Sequence, residues 1–315
     1  MTEAPSAEAL RLSFEWTGGL AAEGLLFTPY NSQLATHAAI DVLFHPSSRT
    51  SPGSCPLHPP SEAQLDQAGI GQALVSQCKK WSCERQWMCV DTRLEDVLRY
   101  TESSSRFIGL AGYNPFDITE SLREIELAVT AHAFRGVYLH ADSFKLPLTD
   151  ARIYPLFAKA AELAVPVLVQ LPATCNLPDN AGQLVCDFQD LSLVLAQLHP
   201  QLADIAAIAG RCENVFFALD PGALVHLKES WRARHSERDD PQSNFFSGVF
   251  QERCMWGSNG MDWSDALRAA DSLPMLPETR EHFLRLNARR VFAFDQPPVS
   301  RTPRSALTEI LAAER

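Results

Sequence analysis

Two histidines and three amides stand at places in this chain where side chains could do chemistry. His45 and His140 each end a short apolar run, "AAIDVLFH" (38–45) and "RGVYLH" (135–140). An imidazole titrates near neutral pH, so either could act as a general acid or base. Gln170, Gln197 and Asn259 end three further runs, "VPVLVQL" (165–171), "SLVLAQ" (192–197) and "RCMWGSN" (253–259). Amides donate N–H to a carboxylate or carbonyl, so a ring of them could bind substrate or form an oxyanion hole. Asp262 and Trp81 would add a carboxylate and an aromatic rim suited to a planar substrate. Each group also has a plainer reading: a hydrogen-bonded core imidazole, amides that satisfy each other, a packed Trp.

The cysteines offer a second kind of site. The chain has eight, and Cys78, Cys83 and Cys89 fall close together in "CKKWSCERQWMC". Cys78 and Cys83 follow an apolar run, so with His45 they would make a thiolate-rich metal site. Their C-x4-C-x5-C spacing does not match the usual zinc spacings. The reading preferred here is reduced thiols and no bound cofactor. Asp220, Lys145 and Arg135 are further charged candidates, although Asp220-Pro221-Gly222 reads as a turn.

Composition excludes several classes. The net charge is −11, which disfavours a nucleic-acid partner. No apolar run approaches the roughly 20 residues needed to cross a bilayer. The first residues, "MTEAPSAEALRLSFEW", lack a basic stretch followed by an apolar one, so a cytoplasmic protein is expected. Hydrophobic residues make up 46% of the 315, enough for a sizeable core. No Gly-rich nucleotide loop and no G-x-S-x-G elbow is present.

The elements that must position these residues alternate. Strands are expected at 38–45, 72–77, 106–113, 135–140, 165–171, 192–197, 214–219 and 253–259. Helical stretches lie between them, such as "SEAQLDQAG" with a Ser cap and a closing Gly, "TESLREIELAVTAHA", "DARIYPLFAKAAELA" and "PQLADIAAIAGR". The strands are apolar throughout, as strands buried on both faces are. Eight such units fit a (β/α)8 TIM barrel, the reading preferred over a doubly wound open sheet. The expected organisation is an N-terminal extension at 1–37, read as a β-hairpin that closes the barrel bottom or makes a dimer contact. The barrel follows at 38–300 and a helical tail at 301–315. The Pro- and Ser-rich linker at 45–60 should lie over the C-terminal face, where barrel enzymes keep their sites. The charged stretch 228–246 reads as a solvated helix and loop.

The strand ends also carry a likeness. "IDVLFHP" (40–46) resembles the "IDxHxHP" opening of amidohydrolase-related proteins, the barrel family that includes aminocarboxymuconate-semialdehyde decarboxylase, resorcylate-type decarboxylases and dicarboxylate lactonases. "RFIGLAGYNP" (106–115) and "FRGVYLHADSFKLPLTDARIYPLFAKAAELAVPVLVQ" (134–170) resemble its third to fifth strands. "FQDLSLVLAQL" (188–198), "MWGSNGMDW" (255–263) and "FLRLNARRVFAFD" (283–295) resemble its sixth strand, eighth strand and closing helix. The likeness runs over about residues 40 to 295.

The resemblance implies one divalent metal, often zinc, held by two His of the first strand, a His at strand 5 and an Asp at strand 8, with a further His at strand 6. It also suggests a homodimer and a small-molecule substrate. This chain departs from that pattern. Leu43, Gln170, Gln197 and Asn259 stand at four of the five positions, and His45 alone remains. Leu has no donor atom and amides are weak neutral ligands, so this set should not hold Zn²⁺. The resulting expectation is a metal-independent hydrolase or decarboxylase of a small carboxylated substrate. The alternative is a catalytically inactive binding or partner subunit.

Overall fold

The computed structural model describes residues 38–45, 59–82, 87–90, 92–171, 177–196, 208–234 and 248–294. The expected extension, the C-terminal tail and the greater part of the 45–60 linker lie outside these residues.

Strand β1 (Ala39–Phe44) opens the barrel. Helix α1 (Glu62–Ala68) begins where Ser61 accepts from the Gln64 N–H and Gln64 Oε1 accepts from the Ser61 N–H. It ends at Gly69, at φ 72°, a left-handed turn that glycine adopts without steric cost. β2 (Ile70–Ser76) then runs parallel to β1. After it the chain makes an antiparallel hairpin of β3 (Lys79–Ser82) and β4 (Trp87–Val90), which the sequence reading did not anticipate.

Regular alternation then resumes. Helix α2 (Leu94–Ser103) precedes β5 (Phe107–Gly112), and α3 (Ile118–His132) precedes β6 (Val137–His140). A single turn, α4 (Ala141–Phe144), and then α5 (Tyr154–Leu163) lead to β7 (Val167–Gln170). α6 (Leu177–Asp187), β8 (Leu193–Ala196), β9 (Val215–Leu219), α7 (Pro221–Arg234) and β10 (Cys254–Trp256) follow. α8 (Trp263–Asp271) and α9 (Pro277–Glu281) come next. A π-helical turn, His282–Leu286, and α10 (Asn287–Val291) end the described chain.

The eight long-range strands form one parallel sheet in the order β1, β2, β5, β6, β7, β8, β9, β10, curled into a nearly closed TIM barrel. Every expected barrel strand is present; β2 begins two residues earlier than expected, and the others are trimmed at their ends by one to three residues. The interior is hydrocarbon: Ile40, Val42, Leu43, Leu74, Leu110, Leu168, Val194 and Met255 form its core with Tyr138. Ala288, Val291 and Phe292 of the closing helix join this cluster. Asn287 fixes that helix by donating to the carbonyls of Gln251 (2.8 Å) and Cys254 (2.7 Å). A second cluster packs the outward strand faces against the helices.

β1 and β10 are the two ends of the sheet, and a carboxylate joins them. Asp41 is fully buried. Its Oδ1 accepts from the N–H groups of Leu43 (3.0 Å) and Ser258 (2.8 Å). Its Oδ2 accepts from the Ser258 hydroxyl (2.6 Å) and the Trp263 indole N–H (2.8 Å). Burial raises the Asp41 pKa, and the hydrogen bonds from Ser258, Trp263 and Leu43 oppose the rise. Replacing Asp41 by Ala strands several buried donors at once. D41A should therefore lose about 3 kcal/mol or more in denaturant unfolding. A loss under about 1 kcal/mol would mean that the seam is held by something else.

Candidate active site

Parallel register aligns the C-terminal strand ends. His140 pairs with Gln170, Gln170 with Ala196, Ala196 with Ala218, and Ala218 with Met255. Two adjacent alanines, Ala196 and Ala218, pack into the inner cluster beside the larger groups. Below that layer Tyr138 fills the interior, and its hydroxyl donates to Gln170 Oε1.

His45 follows β1 at the same end. Among the described residues neither of its ring nitrogens has a hydrogen-bond partner, and both are covered, although part of the residue is exposed. Its ring lies 5.4 Å from that of Tyr138. Burial, with smaller contributions from Lys80 and His140, pushes its pKa down to about 3. The imidazole is thus neutral at physiological pH and a weak base. His140 stands across Tyr138, with ring centroids 6.3 Å apart and the rings edge to face. Its Nδ1 accepts the Ser143 N–H (3.3 Å), and its carbonyl accepts from the Ser143 hydroxyl (3.1 Å). This places the proton of the neutral ring on Nε2.

The other candidates divide. Asn259 sits just past β10 at φ 49°, a left-handed conformation that Asn tolerates. Its amide donates to Asp220 Oδ2 at 2.7 Å. Asp220 Oδ1 in turn accepts the Ala223 N–H (2.7 Å), so Asp220 caps α7 at the strand end where a simple turn was expected. Gln170 and Asn259 therefore have separate partners, and the expected ring of amides does not assemble between them. Gln197 and Cys83 lie outside the described residues. Trp81 belongs to the β3 backbone. Asp262 was expected to touch substrate, but it is exposed and caps α8, accepting from Ser264 N (3.0 Å) and Asp265 N (3.4 Å). Lys145 pairs with Asp142 at 2.7 Å. Arg135 precedes β6 at the opposite end of the barrel. There it lines a cavity of about 350 Å³ with Gln72, Thr101, His132 and Phe294.

Sequence reasoning missed two groups. Asp41 and its donors Ser258 and Trp263 were legible only as an Asp before the His motif and a Ser and Trp in "GSNGMDW". The other is a polar knot beside the mouth. Gln77 donates to Glu124 (2.9 Å) and accepts from the Gly112 N–H (2.8 Å), while Lys79 forms an ion pair with the same Glu124.

The positions that the family resemblance would give to a metal do not fit one. Leu43 is buried hydrocarbon, the Gln170 oxygen is taken by Tyr138, and Asn259 is bonded to Asp220. Cys78 is buried. Among the described residues no group of three or more His, Cys, Asp or Glu is placed to hold a metal ion. No helix among them is long and apolar enough to cross a membrane.

A parallel eight-stranded barrel with titratable groups at its C-terminal mouth defines an enzyme-type scaffold. The family model described as "Amidohydrolase" matches residues 85–294, and the chain belongs to that family. No curated protein matches it. Similar solved structures include an uncharacterized TIM-barrel protein, Bb4693, of Bordetella bronchiseptica. It is 18% identical with a TM-score of 0.58 over 74% of this chain and 81% of that one. A 2,6-dihydroxybenzoate decarboxylase from Rhizobium is 13% identical, with a TM-score of 0.57 over 82% and 100%. A dihydroxybenzoic acid decarboxylase from Polaromonas sp. JS666, with bound manganese and the inhibitor 2-nitroresorcinol, is 13% identical, with a TM-score of 0.55 over 83% and 98%. These likenesses are in fold.

The depressed His45 pKa has a measurable sign. Between the ordinary value of 6.5 and about 3, the unfolded chain binds a proton here that the folded chain refuses. Stability from this group is complete above pH 6.5 and is lost as pH falls toward 3. Chemical unfolding of H45Q should therefore show a shallower loss between pH 6.5 and 4 than the wild type. Parallel pH profiles would remove His45 as the source.

Proposed function

We propose that this chain is an amidohydrolase-family barrel that takes a small carboxylated molecule at its C-terminal mouth and hydrolyses or decarboxylates it without a divalent metal. The observation that carries this is the placement of two imidazoles, His45 and His140, at the C-terminal strand ends on either side of Tyr138, with ring centroids 5.4 and 6.3 Å from it. A buried polar group left without a partner costs about 1–3 kcal/mol, and such a group is usually completed by an occupant. In this reading neutral His45 gives the ligand a hydrogen bond rather than a charge. His140, oriented through Ser143, presents Nε2–H as the proton donor.

A second reading is a binding or partner subunit that does no turnover. The low basicity of His45 favours it, because a general base works best with a pKa near the operating pH.

The test uses 2,6-dihydroxybenzoate and 5-carboxyvanillate as probes, with thermal shift and product analysis on metal-free protein. Under the first reading a probe raises Tm and is consumed. H140A then lowers kcat about 100-fold or more, and H45A raises KM about tenfold with kcat little changed. A Tm rise without consumption selects the binding reading. A turnover rate unchanged in H140A would sink its assigned role.

A further inference from the structure

We propose that Asn259 is a neutral latch on Asp220 and that, together with Leu43 and Gln170, it makes this mouth exclude a divalent cation. The inference rests on the metal-free reading above and gives it a physical cause.

The Asn259 amide nitrogen lies 2.7 Å from Asp220 Oδ2. A carboxylate in the same place would bring two anionic oxygens to hydrogen-bonding distance. Two carboxylates that close disfavour each other's ionisation, and a shared proton or a cation relieves the repulsion. The amide donates a hydrogen bond instead, so Asp220 is satisfied and no positive charge is called for. Leu43 does the complementary thing with volume. Its Cβ and Cγ lie 2.6 Å, and its Cδ1 2.9 Å, from where a Cβ on residue 257 would sit. Gly257 is what admits that side chain, and hydrocarbon fills the place. The Gln170 oxygen is occupied by the Tyr138 hydroxyl. Among the described residues no group of three or more His, Cys, Asp or Glu is placed to hold an ion, and His45 and His140 alone fall short of the three or four ligands that zinc sites use. Three substitutions on three strand ends thus act in one direction, each removing a charge or a donor.

The experiment combines metal analysis with thermal unfolding of the full-length wild type, N259D and L43H/N259D, with zinc or manganese chloride, at pH 5 and pH 8. The wild type should keep far less than stoichiometric metal after desalting, and neither metal should raise its Tm. N259D should lose more Tm at pH 8 than at pH 5, because the new carboxylate pair is fully ionised only at the higher pH. L43H/N259D supplies two imidazoles and a carboxylate. It should bind about one ion per chain and gain about 5 °C when metal is 100-fold above Kd.

Near-stoichiometric metal in the wild type overturns the proposal. So does an N259D whose Tm deficit is the same at both pH values, and so does a folded L43H/N259D that takes no metal. Should L43H/N259D fail to fold, the near-isosteric N259D decides through its pH comparison. These readouts involve no substrate, so a failed probe screen at the mouth leaves this inference standing, and its failure leaves ligand binding open.

Discussion

The Asp41 carboxylate is the constraint on which the rest of the barrel depends. A sheet of eight strands has two ends, and here no regular ladder joins them. One buried carboxyl group with four donors does the joining, two of them from Ser258 and one from Trp263. The same bonds set the turn after β10. That turn carries Gly257, Ser258 and Asn259 and so determines what faces the mouth. Trp263, held by Asp41, also lies against Phe44 with ring centroids 5.2 Å apart. The seam and the candidate site are therefore one mechanical unit.

That unit explains how the mouth can differ chemically from what the family resemblance implies while the barrel persists. Folding free energy resides in the inner and outer apolar clusters and in the Asp41 seam. None of these needs an ion. Leu43 belongs to the inner cluster, so the residue that removes a ligand also adds buried hydrocarbon. The polar groups that remain have local partners: Asn259 with Asp220, Gln170 with Tyr138, and His140 with Ser143. Among the described residues the His45 ring and the Ser76 hydroxyl lack such a partner, and the functional reading centres on the imidazole.

Electrostatics at the mouth follow from the same arrangement. Lys79 pairs with Glu124 and the Asp41 carboxyl group accepts four hydrogen bonds, while burial holds His45 neutral. A ligand seated there meets hydrogen-bonding groups and aromatic edges more than fixed charge. Such a surface discriminates by the placement of donors and acceptors, since a mismatched ligand leaves buried polar groups unpaired.

The sequence by itself determined the fold and the order of its parts. Apolar runs of six to eight residues, spaced by amphipathic helices with visible caps at Ser61 and Gly69, can bury their strands on both faces only as a parallel α/β sheet. It also showed the missing ligand types at 43, 170 and 259, because donor chemistry is a property of the residue itself. Only the tertiary structure decided how those residues are used. The turn at Asn259 aims its amide at Asp220, 39 residues away, and the Tyr138 hydroxyl reaches Gln170 across 32. Gln170 and Asn259 therefore each bond to a separate partner and not to each other. Asp41 was invisible as the seam because its partners lie 217 to 222 residues further along the chain. Periodicity reports which face of a strand is buried, whereas a hydrogen bond between strand ends depends on closing the barrel, and no local pattern encodes that.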